Sequence, residues 1–136
     1  AEPPLLPEDA AVGAQWETKV DGHGGEIETS MILAIRPNLV ARHRLPADAE
    51  GMPLERLKSL REMGIYTGIW WYADYPTHYC GDGRPATAEK GERFLAAQAR
   101  ALAAAIRLIK QDEETRRLQE EFFAAAEGLS PRKAGG

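Results

Sequence analysis

The chain has 136 residues, 43% of them hydrophobic, which is enough to build the core of one domain. Its net charge of -4 and its lack of a lysine and arginine cluster argue against nucleic acid or an anionic membrane as a partner, because both are bound through basic clusters. The single cysteine, Cys80, cannot form a disulfide within the chain, and no apolar run reaches the roughly 18 residues that span a bilayer, so we expect a cytoplasmic protein.

The two ends of the chain are predicted to lie outside the globular part. Residues 1–14 are rich in proline and small side chains, which disfavour a helix or a central strand, so we expect an arm or a linker there. Residues 128–136 are expected to form a flexible tail. The segment between them, residues 15–127, is predicted to belong to a domain that continues outside this chain.

The first predicted elements surround a glycine-rich turn. Residues 15–20 alternate apolar and polar side chains, which is a weak strand signal. After the turn at residues 21–25 the spacing becomes helical, and Pro37 stops it. The residues expected on the buried face of this helix are Ile27, Met31, Ala34 and Ile35.

Three further elements follow along the chain. Residues 53–64 carry leucines at helical spacing, with Gly64 as the expected C-cap. Residues 65–72 alternate in the manner of a strand that enters a loop. Thr87 is suited to cap a long helix that continues towards Phe122. The apolar stripe of this helix is predicted to comprise Phe94, Leu95, Leu102, Ile106 and Ile109.

The order of these elements predicts the fold class. Helices that alternate with strands are typical of layered α/β folds. A sheet of one or two strands leaves its edges unpaired and one face uncovered. We therefore expect an α/β fold whose remaining strands come from another chain or from a missing N-terminal half.

The segment DGHGGEIETS places His23 on a glycine-rich turn just before Glu26 and Glu28 in the first turn of a helix. Glycines let a substrate or a metal ion approach the backbone, and the positive end of the helix keeps carboxylates ionised. Residues two apart point about 200° away from each other around a helix, so only one of the two glutamates can face a site. Both glutamates could equally well serve only to complement the helix dipole.

Two segments resemble the creatininase family of hydrolases. Residues 23–40, HGGEIETSMILAIRPNLV, resemble the pattern H-x-G-E-x-E-T-S-x-x-L-A-x-x-P-x-L-V near the start of the second half of that family. Residues 81–91, GDGRPATAEKG, are similar to its glycine-aspartate turn and the A-T-x-x-K-G start of its last helix. The resemblance implies the C-terminal half of a three-layer α/β/α fold. The loop WWYADYPTHYCGDG is similar to a branch of the family that includes 3-dehydro-scyllo-inosose hydrolases.

The resemblance implies a hydrolase in which a metal-activated water attacks the carbonyl of a small ring. By this resemblance His23 is the catalytic proton carrier, and Glu28 is a catalytic partner that positions it or reaches a metal ion. The ions, zinc or manganese, would be held mostly by residues outside this chain, because the family's E-x-H-G and N-G-H ligand motifs are not present here. The histidines of this chain also lack the spacing that brings two imidazoles to one ion.

Aromatic residues concentrated between positions 70 and 79 are candidates for the wall of a substrate site, although burial in the core is the alternative. The family resemblance implies a cyclic amide such as creatinine or a cyclic polyol ketone such as an inosose as substrate. An N-terminal-half polypeptide or other subunits in an oligomer are the expected partners. The alternative is a non-catalytic subunit or fragment with an assembly role. The predicted substrate contacts are Gly24, Gly25, Trp70, Trp71, Tyr75 and His78.

Overall fold

The computed structural model describes residues 3–46 and 51–129, and no β-strand occurs in these two ranges. None of the helices in these ranges is long and apolar enough to cross a membrane. Short 3-10 turns occupy Pro7–Asp9, Pro37–Leu39 and Arg42–Arg44. The helices are α1 (Ala10–Gly13), α2 (Glu26–Ile35), α3 (Lys58–Glu62), α4 (Trp70–Asp74), α5 (Ala88–Gln111) and α6 (Glu114–Leu129).

Helices α2 and α5 pack closely against each other through small side chains. A Cβ on Gly91 would lie 2.0 Å from the carbonyl oxygen of Ser30, so only glycine permits this approach of the two backbones. Ser30 is fully buried, and its hydroxyl accepts a hydrogen bond of 3.2 Å from the amide of Thr87. The Thr87 hydroxyl in turn accepts a 3.2 Å hydrogen bond from the amide of Lys90. The predicted cap of the long helix is therefore confirmed, and Thr87 also ties α5 to α2.

The buried side of α2 differs from the predicted one. Helix α2 meets α5 at the Gly91 contact, where Ser30 is fully buried, and Leu33, one turn further along α2, is also buried. The predicted buried face of Ile27, Met31, Ala34 and Ile35 is correct only in part, because the first three are half-buried and Ile35 is 50% exposed. The residues of α2 that are buried are Glu26, Thr29, Ser30 and Leu33.

The two predicted strands are wrong. Residues 15–20 and 65–67 form no strand, and residues 68–69 form a turn that leads into α4. The contact between the rings of Trp71 and Tyr75, whose centroids lie 4.8 Å apart, explains why the second strand is absent. Residues four apart meet on a helical turn and lie far apart on a strand. The alternation of side chains near Trp71 is thus also compatible with a helix.

The three-layer α/β/α arrangement is not visible in the described part of the chain.

The helix predicted over residues 53–64 is shorter than expected, since α3 covers only its second half. Gly64 has a φ of +72°, the left-handed conformation of a helix C-cap. The amide of Ile65 then donates to the carbonyl of Leu60 at 2.9 Å, which closes the helix end. The C-cap prediction for Gly64 is confirmed.

The long C-terminal helix is divided into two. Helix α5 ends at Gln111, and the carboxylate of Asp112 accepts hydrogen bonds of 3.1 Å and 3.3 Å from the amides of Glu114 and Thr115. Such a cap begins a new helix, so the prediction of one helix continuing towards Phe122 is wrong. The apolar stripe of α5 also remains largely uncovered, with Ile109 73% exposed.

The N-terminal segment packs on α5. Asp9 is 6% exposed, and its carboxylate accepts hydrogen bonds of 3.0 Å and 2.5 Å from the guanidinium of Arg100. The prediction of no helix in residues 1–14 is wrong for α1, which follows this ion pair. Most of the predicted tail, residues 130–136, lies outside the described residues, whereas residues 128–129 belong to α6.

Candidate functional site

The glycine-rich turn before α2 is held from both of its ends. Gly24 has a φ of +77°, and the amide of Gly25 donates to the carbonyl of Gly22 at 3.0 Å. The carboxylate of Asp21 accepts a hydrogen bond of 3.3 Å from the amide of Ile27 in the first turn of α2. Burial raises the pKa of Asp21, although this hydrogen bond acts in the opposite direction. The turn that carries His23 is therefore fixed to the start of α2.

The loop around Cys80 packs directly on this turn. The amide of Cys80 donates to the carbonyl of His23 at 2.9 Å. A Cβ on Gly25 would lie 2.1 Å from Asp21 Oδ1, and a Cβ on Gly22 would lie 2.7 Å from Cys80 Sγ. Both glycines are thus required by close contacts within the protein. Gly25 is buried, and its role in substrate binding stays a prediction.

His23 and Glu28 lie side by side at the surface. His23 Nδ1 is 3.3 Å from Glu28 Oε2, and the two side chains are 69% and 48% exposed. The same oxygen of Glu28 accepts a hydrogen bond of 2.8 Å from the amide of Gly24. Glu28 therefore holds the backbone of the turn and lies next to the imidazole.

Glu26 faces the protein interior and has a structural role. It is 0% exposed, and its Oε2 accepts hydrogen bonds of 2.8 Å and 2.9 Å from the amides of Glu17 and Thr18. Its Oε1 lies 2.5 Å from Lys90 Nζ. Burial alone would raise the pKa of Glu26, but the hydrogen bonds from Lys90, Thr18 and Glu17 outweigh burial and lower it. Of the two glutamates, Glu28 is the one that accompanies His23.

Lys90 is a residue that sequence reasoning did not single out. Its ammonium group contacts Glu26, Glu17 at 2.6 Å and the carbonyl of Pro85 at 3.0 Å. Lys90 belongs to the GDGRPATAEKG segment and Glu26 to the HGGE segment, so the two segments meet in one buried cluster. The sequence signal that could have identified this pair is an acidic residue, Glu26, in one family-like segment and a basic residue, Lys90, in the other.

An open hollow of about 310 Å³ borders Glu28 and Gly24. Tyr79 lines it beside the turn, because a Cβ on Gly24 would lie 3.2 Å from the Tyr79 ring. The amide of Gly83 donates to the Tyr79 hydroxyl at 2.8 Å, which fixes the ring in place. The other residues that line the hollow are Thr29, Ile32, Leu39, Val40, Ala41, Leu45 and Pro46. The sequence analysis did not predict Tyr79 or these residues as part of a site.

The aromatic residues predicted to contact a substrate do not line the hollow beside Glu28. Tyr75 is buried against Trp71, and burial together with a hydrogen bond to Cys80 raises the pKa of Tyr75 to about 12. Trp70 is 39% exposed and lines a different cavity. His78 is exposed, with a φ of 65° in the turn after Tyr75. The aromatic residue that lines the hollow beside Glu28 is thus Tyr79.

The described residues do not form a complete metal site. No group of three or more histidine, cysteine, aspartate or glutamate side chains converges within residues 3–46 and 51–129. His23 and Glu28 offer two donors, and the Glu28 oxygen is already engaged by the Gly24 amide. A structural or catalytic ion in proteins is held by three or four protein ligands, which this donor set does not reach.

The fold resembles that of a solved protein from Bacteroides fragilis NCTC 9343 assigned as a creatinine amidohydrolase. The two chains superpose with a TM-score of 0.61 and share 28% sequence identity, over 79% of this chain and 42% of the other. The fold is therefore creatininase-like.

The sequence model of the creatininase family, described as creatinine amidohydrolase, matches residues 5–106, and the chain belongs to this family. It is also 36% identical over 88 residues to the mycofactocin precursor peptide peptidase of Mycobacterium ulcerans (strain Agy99). That alignment covers 65% of this chain and 33% of the peptidase. The chain thus spans about a third of the length of this curated relative.

Proposed function

We propose that this chain supplies the acid/base part of a hydrolase that cleaves an amide C–N bond in a small substrate. The proposal is carried by the 3.3 Å separation of His23 Nδ1 and Glu28 Oε2 at an exposed turn that α2 and the Cys80 loop hold in position. Family membership supports a hydrolase. The two relatives are described as a peptidase and a creatinine amidohydrolase, and both descriptions name enzymes that break such bonds.

The proposed chemistry is a pair of proton transfers by His23. Amide hydrolysis adds water to the carbonyl carbon and then breaks the C–N bond, and the departing nitrogen must gain a proton. As a neutral imidazole, His23 takes a proton from the attacking water. As imidazolium, it delivers that proton to the nitrogen, which leaves as an amine while the carbonyl carbon becomes a carboxylic acid. Glu28 stabilises the imidazolium and orients the ring.

The proposed hydrolase uses a divalent ion, zinc or manganese, whose ligands lie mostly outside the described residues. An ion lowers the pKa of a bound water to near 7 only when several fixed ligands hold it. Glu28 either positions His23, which its 3.3 Å contact favours, or is the ligand that this chain would add. We propose that the remaining ligands and the strands of a three-layer α/β/α fold come from the rest of the family domain, in a cytoplasmic assembly.

The preferred substrate class is a cyclic amide such as creatinine. The hollow beside Glu28, of about 310 Å³, lies at the lower end of the range for small-molecule sites. Its apolar walls at Ile32, Leu39 and Val40 suit the body of a small ring. A cyclic polyol ketone such as an inosose is the less favoured substrate, because neither relative is described as acting on a ketone.

A non-catalytic assembly role is the second candidate. It is favoured by the lack of a three-donor metal group in the described ranges. Metal content distinguishes the two functions, since the enzyme hypothesis requires ions to be bound when this chain is joined to the rest of the domain. A complete assembly that binds no divalent ion would favour the non-catalytic role.

The test of the proposal is His23→Gln in the assembled enzyme with an amide substrate. Loss of a general acid/base lowers kcat by a factor on the order of 10² or more, and metal content should be unchanged. His43→Gln is the matched control, because His43 is exposed and lies in the 3-10 turn Arg42–Arg44. Unchanged turnover in the His23 variant would remove this residue from the mechanism.

A further inference from the structure

Helix α6 lies outside the part of the chain that matches the family. The family model covers residues 5–106, whereas α6 begins at Glu114. Every residue from Glu114 to Gly128 is exposed, so no face of α6 is covered by the part of the chain that the structure describes. None of these residues lines the hollow beside Glu28, so the role of α6 does not depend on the proposed hydrolytic site.

One face of α6 is apolar. Leu118, Phe122 and Ala126 follow one another at intervals of four residues, which places them on the same side of the helix. Phe123 lies at the edge of this face, and the centroids of its ring and the Phe122 ring are 5.6 Å apart. Leu118, Phe122 and Phe123 are 49%, 67% and 54% exposed. Helices in proteins are stabilised mostly by the packing of such a face, so the exposed phenylalanines indicate that a partner covers it.

Opposite charges border the two ends of this apolar face. Arg116 and Glu127 are eleven residues apart, which is about three full turns, so both lie on the same flank of the helix as Phe123. When two such helices pair antiparallel across a two-fold axis near Phe122, Arg116 of each helix lies opposite Glu127 of the other. A parallel pair would place Arg116 beside Arg116 and Glu127 beside Glu127, and like charges oppose that orientation. Charge complementarity therefore favours an antiparallel second copy of the same helix.

We propose that α6 pairs antiparallel with α6 of a second copy of this chain. The same surface of both copies forms the contact, with Phe122 and Phe123 at its centre. Arg116 also contacts Glu120 of its own helix at 3.0 Å, but both side chains are largely exposed, so this pair is weak and does not prevent a contact with Glu127 of the second copy. Two helices of 16 residues bury less area than the roughly 1,200 Å² of a standard interface, so we expect a dimer with a Kd on the order of 10⁻⁵ M.

The test is sedimentation equilibrium of the full chain at concentrations from about 1 to 300 μM, because the mass of a dimer in exchange depends on concentration. We expect the mass to rise from that of the 15.0 kDa chain towards twice this value. Phe122→Glu should keep the chain monomeric, because it places a charge in the apolar contact. Met63→Glu is the matched control, since Met63 is exposed but lies outside α6, and it should leave dimerisation unaltered. A monomer at all concentrations, or a dimer that persists in Phe122→Glu, would overturn the proposal.

Charge reversal tests the orientation of the two helices. Arg116→Glu and Glu127→Arg should each weaken dimerisation about fivefold or more, because each change turns two symmetry-related attractions into repulsions. Both changes favour the helix through its dipole, so a loss of helix would not explain the effect, and circular dichroism verifies this. The double variant restores opposite signs and should recover the wild-type Kd to within about twofold. Single changes without effect, or a double variant that dimerises no better than either single one, would rule out the antiparallel arrangement.

Discussion

Lys90 Nζ lies 2.5 Å from Oε1 of the fully buried Glu26, and this ion pair joins the start of α5 to the start of α2. The same ammonium group also contacts Glu17 at 2.6 Å. Because α2 begins directly after the turn that carries His23, this pair fixes the base of the candidate site. The pair itself is hidden from the surface at which His23 and Glu28 lie.

Replacing Lys90 should cause a large loss of stability. Lys90→Met leaves the Glu26 carboxylate buried without its cation, and removing one partner of such a pair costs about 3–5 kcal/mol. Urea denaturation followed by circular dichroism measures the free energy of unfolding. Lys58→Met is the control, because the pair of Lys58 with Glu55 is exposed and should contribute less than about 1 kcal/mol. Equal effects of the two changes would contradict the structural role of Lys90.

Stability should fall in acid because of Glu26. Its pKa is lowered in the folded state by the hydrogen bonds from Lys90, Thr18 and Glu17, which outweigh the effect of burial. The stabilisation is therefore fully present above the pKa of an unfolded glutamate, roughly 4.3, and is lost as the pH falls through the lower folded value. The free energy of unfolding of the wild type, measured from about pH 6 down to pH 3, should drop more steeply than that of Glu26→Gln. Parallel curves would show that Glu26 does not titrate as expected.

The contact of α2 with α5 should not tolerate a side chain at residue 91. Gly91→Ala places a Cβ 2.0 Å from the Ser30 carbonyl oxygen, and both groups belong to helix backbones that cannot easily move. We expect a loss of about 1–3 kcal/mol or more, as for overpacked cores. Gly128→Ala is the control, because no atom lies within 4 Å of a Cβ there, and it should stabilise α6 by about 0.5–1 kcal/mol. A neutral Gly91→Ala change would show that the helices lie further apart.

Glu28→Gln should affect catalysis and leave stability nearly unchanged. Glutamine can still accept the hydrogen bond from the Gly24 amide but no longer stabilises an imidazolium at His23. Loss of the carboxylate beside a general acid/base should lower kcat, by less than the factor of about 10² that loss of the histidine itself costs. The free energy of unfolding should change by less than about 0.5 kcal/mol, because the side chain is exposed. Comparing kcat/KM and urea denaturation of Glu28→Gln with those of Glu26→Gln separates the two roles, and full activity of Glu28→Gln would contradict the proposed pair.

Local signals predicted several features correctly. The capping role of Thr87 and the C-cap at Gly64 depend on residues close together in the chain. The resemblance of residues 23–40 to the creatininase pattern was also enough to predict the family. Such features depend on short-range geometry or on a string of specific residue types, and both are present in the sequence itself.

Errors arose where residues far apart in the chain decide the outcome. The apolar periodicity of α2 suggested that Ile27 and Met31 face the core, but both are only half-buried, and the close approach of Gly91 makes Ser30 the fully buried residue. The alternation at residues 65–72 suggested a strand, although helical ring contacts such as Trp71 with Tyr75 were equally compatible with it. The periodicity of apolar residues indicates which secondary structure is possible. It does not indicate which distant residue will pack against it.

The sequence by itself determined the family, the turn that carries His23, and the fact that only one of Glu26 and Glu28 can face a given site. Only the tertiary structure decided that Glu28 is the one that lies beside His23, because Lys90, which is far away in the chain, pairs with Glu26 in the interior. It also decided that Tyr79, and not the neighbouring tryptophans, lines the hollow beside the site. Charge pairing and close backbone contacts between distant segments depend on three-dimensional distances, which no local pattern of residues specifies.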